Sequence, residues 1–171
     1  HFTEERINTA LSSETPLDIV PSIDENGHGT YVASLAAGGG DAANGFLGAA
    51  PESTIAVVKL KQAKQFVREF YRIAEDAVCY QDNDVMLGIE YLTQLAAARN
   101  MPLVICLALG TNQGDHNGHC PLGEMMNLLA RNDGKVIVLG AGNEANERHH
   151  YYGVISSKNE VKSAEIQVGE N

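Results

Sequence analysis

The 171-residue sequence predicts an α/β fold, a parallel sheet with helices on its faces. Three aliphatic runs carry that prediction: TIAVVKL at 54–60, LVICLAL at 103–109 and KVIVL at 135–139. Nearly unbroken runs of this kind are the pattern of strands buried on both faces. Between the first two runs, Val85, Ile89, Leu92 and Ala96 recur at helical spacing and form one apolar stripe. Between the last two, Met125, Leu128 and Leu129 mark a second inward-facing helix. Strand, helix, strand, helix, strand is the order of a parallel sheet covered by helices.

Taken in chain order, residues 3–11 read as a short helix followed by a loop. A helix is expected over 28–37, where Val32, Ala33, Leu35, Ala36 and Ala37 make it apolar almost all round and predict burial. Glycine is dense from Gly38 to Gly48, ahead of the first strand at 54–60. The helix at 83–99 ends at Asn100 and Pro102. The helix at 121–131 carries Pro121 in its first turn, where a missing N–H costs nothing. Residues 163–169, SAEIQVG, alternate in polarity and predict a half-exposed antiparallel strand.

Composition narrows the function classes. Twelve Lys and Arg stand against 22 Asp and Glu, a net charge of −10, which argues against a nucleic-acid partner. No apolar run approaches the roughly 20 residues that span a bilayer, so no membrane partner is expected. The opening His1-Phe2-Thr3-Glu4-Glu5-Arg6 does not read as a signal peptide. Cys79, Cys106 and Cys120 are an odd number with no C-x-x-C pair, which argues against a disulfide framework or a cysteine zinc site.

Four stretches are candidates for chemistry. The first, Asp24-Glu25-Asn26-Gly27-His28-Gly29-Thr30, places one histidine between two glycines at the start of the small-residue helix. Two readings stand side by side: a histidine capping a helix, and a general base held by a rigid element. The second, Leu139-Gly140-Ala141-Gly142-Asn143-Glu144-Ala145, follows a strand and so lies at the carboxyl edge of the sheet, where α/β proteins build their sites. Gly140-x-Gly142-x-x-Ala145 matches the dinucleotide fingerprint, with Glu160 20 residues after Gly140, but NERHHYYG at 146–153 has no helical stripe. The other readings make Asn143 an amide donor to a developing oxyanion, or an asparagine that closes a turn. The third, Ala108-Leu109-Gly110, ends a strand where free backbone groups can take up an extended peptide. The fourth is His116, His119, Cys120, His149 and His150, whose spacing fits no standard zinc motif and reads better as loop histidines than as a metal site.

Together these pieces resemble the subtilisin-like serine proteases, the subtilases. D-x-N-G-H-G-T-x-V-A-S-x-A-A-G at 24–38 resembles the segment around that family's catalytic histidine, and G-A-G-N at 140–143 its oxyanion segment. GFLGAAPES at 45–53 and ALG at 108–110 are similar to the segment after the histidine helix and to the substrate-pairing strand end. A narrower resemblance, to the Csp-type subtilases linked to spore germination, is carried by KLKQAKQFVREFY (59–71), AVCYQDNDVMLGIEYL (77–92), LALGTNQGDHNGHCPL (107–122) and GNEANERHHYYG (142–153).

The resemblance implies a three-layer subtilisin-like fold and a serine endopeptidase with a Ser-His-Asp triad. His28 would be the base and later the acid, and Asn143 the oxyanion donor, both serving one carbonyl. Ala108, Leu109 and Gly110 would line the substrate channel, and Gly140, Ala141 and Gly142 part of the pocket before the scissile bond. It implies a protein or peptide substrate, no cofactor, and a secreted or spore-associated location. The family's nucleophile motif G-T-S-x-[AS]-x-P is absent, no aspartate-bearing strand precedes His28, and GGGDAANGFL at 38–47 does not match the family's calcium loop. The chain therefore reads as a central fragment, beginning after the aspartate and stopping before the serine, and inactive alone. Its sheet is expected to be incomplete, with a partner chain or self-association completing it. Residues 1–161 would be partial catalytic domain and 162–171 the start of an inserted jelly roll. The alternative is a non-catalytic subtilase-like pseudoprotease acting as a binding or signalling module.

Overall fold

The computed structural model describes residues 1–41, 43–114 and 116–166. The chain forms two compact units, His1–Ile55 and a second beginning at Ala56.

In the first unit, helix α1 spans Glu4–Leu11, with Thr3 accepting the Arg6 N–H at 3.3 Å and Glu4 and Glu5 in its first turn. Both features satisfy or complement the orphan donors at a helix start. A single-turn helix α2, Pro16–Ile19, occupies part of the stretch expected to be loop. It is tied back to α1 by Arg6, whose Nε donates to the Ile19 carbonyl at 2.9 Å. Helix α3 is His28–Ala37, as the sequence predicts. The glycine-rich segment after it folds back along its end: Gly48, Ala49 and Ala50 donate to the carbonyls of Gly38, Leu35 and Ala36 at 3.1, 2.9 and 2.8 Å.

The predicted burial of α3 does not hold within this unit. None of its residues is buried, and Tyr31 remains 63% exposed. A helix apolar on all sides needs cover on all sides, and one short returning strap covers only part of it.

The second unit contains helix α4 (Gln65–Phe70), helix α5 (Asp82–Ala98), strand β1 (Leu103–Leu107), helix α6 (Pro121–Ala130) and strand β2 (Lys135–Leu139). β1 and β2 pair in parallel, in register from Leu103 opposite Lys135 to Leu107 opposite Leu139. The order β1–α6–β2 is the expected parallel crossover. The core is Val85 and Ile89 of α5 against Ile105 of β1, flanked by Met125 and Leu129 of α6 and Ile137 of β2.

The strand positions facing the other way are open. Val104, Cys106, Val136 and Val138 are exposed, Val104 by 69%. Burial on both faces, expected from the continuous aliphatic runs, is therefore not observed. The runs contain residues able to be buried on two faces, and in this unit α5 and α6 cover one.

The predicted strand at 54–60 is a further correction. Residues 54–64 form no helix or strand. They are held to α5 by side chains. Val58 lies over Gly88, where a Cβ would come within 3.1 Å of it. Leu60 packs on the core, and Lys61 pairs with Asp84 at 3.1 Å. A ladder needs a neighbouring strand about 4.8 Å away, and no described residue pairs with this segment as a strand.

The stretch 61–81, to which the sequence assigns no element, is organised by Arg68 of α4. Its buried guanidinium donates to the carbonyls of Ala74 and Glu75 at 2.7 and 2.8 Å and to Gln62 Oε1 at 3.2 Å. Of the predicted strand at 163–169, residues 163–166 lie in no strand and 167–169 fall outside the described residues.

The core makes a direct prediction. Ile89 is 3% exposed, so Ile89→Ala should cost about 2–5 kcal/mol, the usual loss for a truncated core aliphatic. Val104→Thr, on the open face, should stay within about 0.5 kcal/mol. Urea unfolding of the two variants checks the contrast; equal losses would contradict the one-sided core.

Candidate functional site

His28 is the first residue of α3, and the chain reaches it through Gly27 in the left-handed region, φ 82°. Asp24 fixes this turn. Its Oδ1 accepts the Gly27 N–H at 2.9 Å, and its Oδ2 accepts both the Thr30 N–H at 2.9 Å and the Thr30 hydroxyl at 2.7 Å. Asn26 Oδ1 adds an acceptor for the His28 N–H at 3.3 Å. The helix donors that would otherwise be unsatisfied are thus taken up by two side chains. The backbone is tied down on either side of residue 28, and the histidine is exposed.

These bonds also set the charge state of Asp24. The Thr30 hydroxyl, then the Thr30 and Gly27 amides, favour the carboxylate and hold its pKa down to about 2. In the sequence analysis Asp24 has no role beyond its place in the 24–38 motif. Its usable signal was local: an aspartate just ahead of a predicted helix start, with a threonine in that helix's first turn.

In the second unit the parallel pairing delivers two loops to one edge. β1 ends at Leu107, two residues short of the predicted strand, so Ala108, Leu109 and Gly110 continue beyond the ladder. β2 ends at Leu139, and Gly140 donates its N–H to the Leu107 carbonyl at 3.3 Å. A Cβ on Gly140 would stand 3.9 Å from the Ala108 Cα. The two glycine-containing segments therefore begin side by side at the carboxyl ends of adjacent parallel strands.

Gly142 turns the chain with φ 83°, and Asn143 follows, exposed. The Asn143 N–H donates to Glu144 Oε2 at 2.9 Å, and Glu147 N–H closes the next turn on the Glu144 carbonyl at 2.9 Å. The dinucleotide reading requires a helix to open at Gly142; residues 145–148 are turns, so that reading falls. What remains is an exposed asparagine on a glycine-preceded turn, next to a strand end with backbone beyond its ladder.

The structure thus sets Gly140 beside Ala108 where the two segments begin in the second unit, while His28 belongs to the first. A shallow cleft lined by Ala97, Met101, Pro102 and Gly134 lies at the amino ends of the strands and contains none of these residues. Among the described residues, no three His, Cys, Asp or Glu come together in a way that could hold a metal ion. Cys120 instead caps α6, its Sγ accepting the Gly123 N–H at 3.3 Å. No helix among the described residues is long and apolar enough to cross a membrane.

Comparison with known proteins bears on the family and the fold. A family model described as the subtilase family matches residues 4–167. The chain is similar to the solved structure of the CspB protease of Clostridium perfringens, at 36% identity and a TM-score of 0.72. That likeness covers 85% of this chain and 29% of the other, so the chain spans less than a third of that protein's length.

The capped turn before His28 should be acid-sensitive. A carboxyl held near 2 in the folded chain and near about 3.9 when unfolded favours folding fully above about pH 4. That contribution disappears as pH falls from about 4 through about 2. An NMR titration of the Asp24 carboxyl should show the low midpoint, and Asp24→Asn should remove this acid dependence and loosen the first turn of α3. A midpoint near 4 would break the link between Asp24 and the His28 turn.

Proposed function

The chain belongs to the subtilase family, and on that premise we propose that the whole protein is a serine endopeptidase. The observation that supports the proposal is that the segments Ala108–Gly110 and Gly140–Asn143 start side by side at one edge of the parallel strands, with Gly140 against Leu107 and Ala108. Ala108–Gly110 presents backbone groups to an extended peptide. Gly140, Ala141 and Gly142 form part of the pocket for the residue before the scissile bond. The Asn143 amide donates to the carbonyl oxygen as it gains negative charge.

His28 takes the proton from a serine nucleophile and returns it to the leaving amine. The Asp24 cap supports that role by fixing the turn that carries His28. These residues include neither the family's serine motif nor an aspartate-bearing strand before His28, so the 171-residue chain alone should not hydrolyse peptides. The motifs shared with the Csp-type branch suggest spore germination as the process. The 54–60 segment, which lies in no strand, and the open Val104–Val138 face support completion of the sheet by further polypeptide.

Asn143 gives the sharpest test. Its amide acts on charge present only in the transition state, so Asn143→Ala should lower kcat more than it changes KM. The expected loss is about 10²–10³-fold, the range found for removing such a donor from a subtilisin. Steady-state kinetics of the whole protein on one peptide substrate measure it. An unchanged kcat with a raised KM alone would remove Asn143 from the catalytic set. Casein cleavage by the pure 171-residue chain, lost in His28→Ala, would contradict its proposed inactivity.

A further inference from the structure

We propose that Asn112, His116, His149 and His150 form a clamp that holds the loop after β1 against the loop after β2 and thereby positions Asn143; its consequence for turnover rests on the reading of Asn143 given above. The contacts form a closed circuit. Asn112 Nδ2 donates to His149 Nδ1 at 2.9 Å, across 37 residues of sequence. The His150 ring stacks on His116 with centroids 4.9 Å apart and planes 27° from parallel. His116 Nε2 returns to the Asn112 carbonyl at 3.2 Å.

The circuit sits where positioning matters. Asn112 is two residues beyond Gly110, and His149 is six residues beyond Asn143. Residues 111–113 and 149–155 have no regular structure of their own, and β2 ends four residues before Asn143. An oxyanion donor must be held close to its acceptor, and displacement by about 1 Å can cost 10²-fold in rate. The ladder fixes the Asn143 turn on one side, and the clamp fixes it on the other.

Two further observations fit. His116 and Arg148 both adopt left-handed backbone, φ 57° each, one on either loop beside the contacts. Non-glycine residues persist there when their surroundings hold them. The ring nitrogens also have other work. His149 Nδ1 accepts from an amide and His116 Nε2 donates to a carbonyl, so these two histidines are engaged in loop fastening.

Trypsin cleavage after Arg148 reads the clamp in the 171-residue chain. Cleavage of this kind follows the population of the open loop, and Arg99, at the end of α5, supplies a reference site. Asn112→Ala and His116→Ala leave the sequence around Arg148 unchanged. Each should raise the ratio of Arg148 to Arg99 cleavage by roughly two- to tenfold, the equivalent of one aromatic stack or hydrogen bond. His116→Phe keeps a stacking ring but loses the Nε2 hydrogen bond, so its ratio should fall between those of His116→Ala and the unaltered chain. General unfolding would accelerate both sites and leave the ratio unchanged. In the whole protein, His116→Ala should lower kcat and His116→Phe should recover it in part.

An unchanged ratio, no recovery with phenylalanine, or a raised ratio without any change in kcat would each overturn the proposal. The catalytic reading fails separately, if Asn143→Ala leaves kcat intact while the cleavage ratio still responds to the clamp variants.

Discussion

The parallel pairing of β1 with β2 is the constraint on which the rest of the site depends. Parallel strands need a crossover, here through α6, and both strands then run out at the same edge. That is why Ala108–Gly110 and Gly140–Asn143, more than 30 residues apart in sequence, begin as neighbours. The glycine at position 140 lets the second segment lie against the first. An antiparallel pair would send the two loops to opposite ends and separate the two segments.

The two units fix their candidate residues by different means. His28 is set by a local polar device, in which one carboxylate collects the Thr30 hydroxyl and two backbone amides at the head of α3. Asn143 is set by long-range packing: Ile105 and Ile137 anchor the strands on α5 and α6, and the loops beyond are fastened to each other. A local device responds to pH and to single polar substitutions. A packed scaffold responds to volume changes in the core and little to its open face.

The sequence was most legible where the governing forces are local. α3, α5 and α6 lie within a residue or two of their expected bounds because apolar stripes, Pro121 and the Asn100–Pro102 stop act within a few residues. The motifs around His28 and Asn143 likewise placed those residues at a helix start and after a strand, as found. The run at 54–60 misled because hydrophobicity signals a need for cover, whereas a strand also needs a partner to share hydrogen bonds. The Arg68 cage at 61–81 was invisible for a related reason: its acceptors are backbone carbonyls, present at every residue and carrying no mark in the sequence. Asp24 was legible in principle as a helix cap, since it stands just ahead of the helix start with Thr30 in the first turn. The link from Asn112 to His149 spans two loops with no periodicity and could not be read in advance.

In the proposed function, His28 is the base and Asn143 the oxyanion donor of a serine endopeptidase. Labelling of the whole protein with a fluorophosphonate probe tests it most directly, because that reagent requires a serine activated by a histidine base. The account predicts labelling of the whole protein on a single serine, loss of that labelling in His28→Ala, and none in the isolated 171-residue chain. Labelling that persists undiminished in His28→Ala, or a whole protein that does not react, would contradict it.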